Sequence, residues 1–94
     1  MYPLIENHRV ALKALAERYG VTHVRIFGSM ARGDATAASD VDLLVLPLPG
    51  TSLFDLGGFA ADAEALLGRH VEVVSERALS PLIRTRALAE AEPL

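Results

Sequence analysis

Two carboxylates one residue apart, Asp40 and Asp42, open a run of valine and leucine, Asp40-Val41-Asp42-Leu43-Leu44-Val45-Leu46. Alternate side chains of an extended strand share a face, so both project together, about 6.6 Å apart along the chain. Flexible carboxylates placed this way can bridge divalent ions held about 3.5–4 Å apart, the spacing of two-metal phosphoryl chemistry. The ligands are hard oxygens and the chain contains no cysteine, which suits Mg²⁺ better than zinc. Taken alone, an Asp-x-Asp pair also describes a solvated strand end. Upstream stands Gly28-Ser29, with ten residues separating Ser29 from Asp40. Glycine lets a phosphate approach the backbone closely, and a serine opening a short helix adds a hydroxyl to exposed N–H groups. A Gly-Ser pair alone is an ordinary turn. In the order strand, Gly-Ser, short helix, Asp-x-Asp strand, the two signals together describe a triphosphate cradle beside a metal site.

The elements that must position these residues are legible around them. Leu4, Ile5, Ala11, Leu12, Leu15 and Tyr19 recur at helical spacing and Gly20 follows as a stop, which predicts one amphipathic helix over 4–19. Val21 to Phe27 is rich in β-branched residues and reads as a strand ended by Gly28. A short helix after Ser29 and small polar residues to Ser39 lead into the strand from Asp40 to Leu46. Pro47 to Gly50 is a turn. Ser52 with Asp55 three positions on forms a capping box for a helix to about Leu67 that Gly57 and Gly58 weaken. Residues 70–74 are a third strand, and Ser80-Pro81 opens a last helix to about Glu90. The predicted fold is α/β, one small domain over residues 1–94, with a mixed sheet of three or four strands. Helices are expected mainly on one face and the acidic site on the other face or at its edge.

Composition narrows the function. The chain is 51% hydrophobic and 22% charged, too apolar for disorder, and only five residues are aromatic, so Leu, Val, Ile and Ala must build the core. The absence of cysteine excludes disulfides, thiolate metal sites and a cysteine nucleophile, and fits a reducing compartment. No apolar run reaches signal-peptide or membrane-span length, and a cytoplasmic location is expected. A net charge of −3 argues against direct nucleic-acid binding. Arg77, Arg84 and Arg86 make a partner-docking face, a phosphate-contacting face or a solvated one. His8, His23 and His70 share no metal-ligand spacing and receive no role.

Gly28-Ser29-Met30-Ala31-Arg32-Gly33-Asp34 followed by Ser39-Asp40-Val41-Asp42-Leu43 resembles the minimal nucleotidyltransferases of the DNA polymerase β superfamily. The resemblance extends to the leading helix, the third strand and Ala78-Leu79-Ser80-Pro81. It implies a Mg²⁺-dependent nucleotidyltransferase, an antitoxin-type partner of HEPN-domain toxins that moves AMP from ATP, or another nucleotide, to a tyrosine of the HEPN ribonuclease. Carried over residue by residue, Ser29 contacts the triphosphate, Gly28 gives the close approach, and Asp40 and Asp42 bind two Mg²⁺ ions. The third family carboxylate falls on Glu72, where the family more often has aspartate; a charged residue between Val71 and Val73 itself asks for a reason. Arg32, three past Ser29, reaches either phosphate oxygens or the carboxylates of Asp34 or Asp40. Ser39 either orients Asp40 or serves the turn. Larger relatives use further domains to hold the acceptor, so here a protein acceptor is expected to complete the site. Two other readings are a non-catalytic module that neutralises its partner by contact, and a transferase acting on a small molecule.

Overall fold

The computed structural model describes residues 2–94. Helices α1 (Pro3–Asn7) and α2 (Arg9–Arg18) precede strand β1 (Val21–Phe27), and α3 (Ser29–Arg32) leads toward β2 (Val41–Pro47). Then come α4 (Leu53–Leu67), β3 (Val71–Ser75), a 3₁₀ turn (Glu76–Ala78), α5 (Pro81–Glu90) and β4 (Glu92–Pro93). The sheet order is β3-β2-β1-β4; β2 runs parallel to β3, and β1 antiparallel to both β2 and β4. This is the mixed α/β sheet predicted, with β4 as its fourth strand.

The core explains which face stays open. α2 buries Leu12 and Ala16, and α4 buries Phe59, Ala63 and Leu67, each set recurring at the four-residue spacing of one helix face. They pack on Val41, Leu43 and Val45 of β2 with Ile26 of β1 and Val71 of β3. The intervening positions Asp42 and Glu72 therefore point to the opposite face. Leu44 shares that face and is fully buried, beside the 3₁₀ turn that lies against β2. There Arg25 Nη1 meets Glu76 Oε2 at 2.6 Å.

One expectation is corrected and one is extended. The helix predicted over 4–19 is two helices, because His8 leaves helical geometry (φ −118°, ψ 14°) while its ring Nδ1 lies 2.8 Å from the Leu4 carbonyl oxygen. The apolar spacing continues across the break, so periodicity alone could not locate it. Gly58, read as a weak point in its helix, is a packing requirement: a Cβ there would stand 2.6 Å from the Tyr19 ring. Tyr19 uses that proximity to donate its hydroxyl to Asp62 at 2.5 Å, tying α2 to α4. The Ser52–Asp55 capping box forms as read, with reciprocal bonds of 3.1 and 2.8 Å.

Candidate active site

Register assembles the site. Phe27 pairs with Asp42 across β1 and β2, and Asp42 pairs with Glu72 across β2 and β3. Phe27 and two of the acidic residues thus form one row across the sheet, and Gly28 follows directly at the end of β1. Asp40 stands just before β2, where the Val41 N–H donates to the His70 carbonyl at 2.9 Å and pins the two chain segments together. Single ligand atoms of Asp40, Glu72 and His70 all lie within 4.8 Å of one another, and all three side chains are exposed. The chain therefore brings together two of the three carboxylates expected and adds a histidine.

Asp42 occupies the middle of the site. Its carboxylate packs against the α-carbon of Gly28, where any Cβ would collide with Oδ2. Burial first, then the charges of Glu72 and Asp40, raise its proton affinity above that of an ordinary aspartate, against a smaller opposing pull from Arg32 and His70. The folded state holds this proton more tightly than the unfolded chain. The group's stabilising contribution is complete below an aspartate's ordinary value of 3.8 and is lost as pH rises through the raised folded value. Asp42→Asn is accordingly expected to raise Tm at neutral pH, with the gap from wild type closing toward pH 4. Parallel melting curves across that range check it; a variant that melts below wild type at pH 7 would contradict the repulsion.

The cradle lies beside it. Gly28 has φ 74° and ψ −149°, a conformation open essentially to glycine alone, and it caps the single turn of α3 begun by Ser29. Arg32 faces this turn but is engaged, with Nε 3.3 Å from Asp34 Oδ2 and Nη1 3.1 Å from Glu90 Oε1. The same Glu90 oxygen accepts the Gly28 N–H at 3.2 Å. A carboxylate from the end of α5 thus sits on two donors facing the cradle, a contact no local sequence pattern signals across 62 positions. Ser39 spends its hydroxyl on the turn, accepting the Thr36 N–H at 2.8 Å, and among the described residues makes no bond to Asp40.

The fold and this row of residues define a class of protein. Over residues 8–93 the chain matches the nucleotidyltransferase domain family, and it belongs to that family. It is 40% identical over 78 residues to the protein adenylyltransferase MntA of Thermococcus cleftensis, covering 83% of this chain and 79% of MntA. A solved structure of a candidate minimal nucleotidyltransferase superposes with a TM-score of 0.88 at 44% identity, covering 96% of this chain and 92% of that one. A toxin–antitoxin crystal structure with AMP-PNP shares the fold at a TM-score of 0.75 and 20% identity, covering 94% of this chain and 70% of that one. Among the described residues no helix is long and apolar enough to cross a membrane.

Proposed function

We propose that this chain transfers AMP from ATP to a hydroxyl of a protein partner, a tyrosine of a HEPN ribonuclease toxin, and thereby acts as its antitoxin. The observation that carries the reading is that Asp42 and Glu72 pair on the sheet face opposite α2 and α4, with Gly28 packed against the Asp42 carboxylate. The adenylyltransferase relative and the AMP-PNP-bound toxin–antitoxin structure of the same fold support it.

The donor set fits divalent cations: carboxylate oxygens of Asp40 and Glu72 converge with a ring nitrogen of His70, and the charges of Glu72 and Asp40, which with burial raise the proton affinity of Asp42, are what a cation would offset. Asp40, Asp42 and Glu72 would hold two Mg²⁺ ions, which when bound neutralise the triphosphate and polarise the reacting oxygens. The protein's own part is positioning. The Gly28 backbone and the Ser29 hydroxyl hold the phosphates, with Arg32 beside them. An acceptor oxygen approaching over β3 attacks the α-phosphorus in line, the bond to pyrophosphate breaks, and the proton of the acceptor leaves on the Glu72 side. The open face leaves room for a protein acceptor.

The test is intact mass of a HEPN ribonuclease after incubation with this chain, ATP and Mg²⁺. A gain of about 329 Da, one AMP, on a tyrosine is expected together with loss of ribonuclease activity. Silencing without a mass change would favour inhibition by contact instead.

Glu90 gives a second measurement. Its carboxylate competes with phosphate oxygens for the Gly28 N–H and Arg32. Glu90→Gln is expected to tighten ATP binding about threefold, in line with the ~0.2–1 kcal/mol of an exposed ion pair. Weaker binding by calorimetry would mean that Glu90 instead holds Arg32 in its working position.

A further inference from the structure

We propose that His70 is a nitrogen ligand to the cation held at Asp40 and Glu72, so that this site prefers first-row transition ions such as Mn²⁺ over Mg²⁺. The inference rests on reading the acidic row as a metal site and adds to it a ligand that the sequence spacing did not suggest.

The geometry has three parts. First, the His70 ring points into the cluster: Nε2 lies 3.7 Å from Glu72 Oε1, and one ring nitrogen shares the 4.8 Å grouping with Asp40 and Glu72. That separation is too long for a hydrogen bond and only slightly wider than neighbouring ligands on one ion, which at bond lengths of about 2.1 Å stand roughly 3–3.4 Å apart. Second, the opposite ring nitrogen is already engaged. Nδ1 lies 3.0 Å from Glu64 Oε2, and that same oxygen accepts the Val71 N–H at 3.2 Å, so α4 holds the carboxylate in place. A carboxylate at Nδ1 favours the tautomer with its proton there and leaves the Nε2 lone pair free, the carboxylate–histidine–metal arrangement of many metal centres. Third, the backbone is fixed where it matters, since the His70 carbonyl accepts the Val41 N–H next to Asp40. Imidazole adds little for Mg²⁺, which prefers oxygen and gives up its waters reluctantly, and more for transition ions.

A bland role would use the same contacts differently: a protonated His70 bracketed between Glu64 and Glu72 as a surface ion pair. Pulsed EPR of the full chain loaded with Mn²⁺ separates the two. Directly coordinated histidine nitrogen should appear in wild type and vanish in His70→Asn. Mn²⁺ affinity, read by the free-Mn²⁺ EPR signal, should fall about tenfold in that variant, while competing Mg²⁺ changes less than twofold. Glu64→Gln should keep the nitrogen coupling and weaken Mn²⁺ severalfold, because it alters only the outer partner. His70 is more than half exposed, so His70→Asn should fold, and circular dichroism verifies this. Mn²⁺ bound at Asp40 and Glu72 without nitrogen coupling would overturn the role of His70 and leave the metal site standing. No Mn²⁺ binding that Asp40→Asn weakens would overturn both.

Discussion

Asp40→Asn combined with Asp42→Asn is expected to abolish AMP transfer to the partner while the domain stays folded and the partner stays bound. Neutral amides cannot concentrate cations against the charge of a triphosphate, and loss of several kcal/mol of charge stabilisation lowers the rate about a thousandfold or more. The fold has no stake in those charges. Asp40 is exposed, Asp42 is half-buried on the face opposite the core, and burial together with the charges of Glu72 and Asp40 pushes it toward neutrality. The double variant should therefore melt at or above the wild-type temperature at pH 7. Partner binding through surfaces away from the row should be unaffected. Intact mass and ribonuclease activity are the readouts, with co-purification as the control for binding. If the double variant silences the partner as well as wild type does, and neither adds mass, contact inhibition is the function. Should it fail to bind the partner, the acidic face is itself part of the interface.

Much of this site could be read in the chain because its determinants are local. Ser52 and Asp55 cap α4 through bonds three residues apart, and Asp40 and Asp42 share a strand face by simple alternation. The Gly28-Ser29 step follows a strand whose β-branched residues announce it. What stayed hidden depends on partners distant in sequence. His70 has no ligand-like spacing with the other histidines; its significance comes from Asp40, thirty positions away, brought alongside by the parallel pairing of β2 and β3. Glu90 reads as the end of a surface helix and reaches the Gly28 N–H only through the return of the chain after β3. β4 is two residues, one of them proline, and pairs Glu92 and Pro93 with Ile26 and Arg25. No propensity signal identifies so short a strand. The bulge in β1 is equally silent: His23 adopts φ 49° between paired residues Thr22 and Arg25, and lets Val24, Arg25 and Ile26 recover the alternation that carries Phe27 to Asp42.

Gly28→Ala is expected to damage both stability and the site, through two separable causes. The first is backbone strain. At φ 74° and ψ −149° an alanine occupies a region that costs about 1–3 kcal/mol. The second is collision, since the new Cβ would overlap Asp42 Oδ2, and the contact can be relieved only by turning that carboxylate or moving the strand end. Together they should lower stability by about 2–4 kcal/mol, which for a domain of this size is a fall in Tm of roughly 8 °C or more. Gly33→Ala is a collision-free reference with milder backbone strain, since its ψ of 13° lies in the left-handed helical region that Gly28 does not occupy. Its φ of 82° is also left-handed, but a Cβ there meets nothing within 4 Å, so only about 1–2 kcal/mol should be lost. Asp42→Ala isolates the second. In that background Gly28→Ala has no carboxylate to strike, and its cost should drop by about 1 kcal/mol or more, a coupling typical of residues in contact. Strictly additive losses would mean that Asp42 does not rest on Gly28. In that case the glycine serves only the turn, and the link between cradle and acidic row that Asp42 provides is broken.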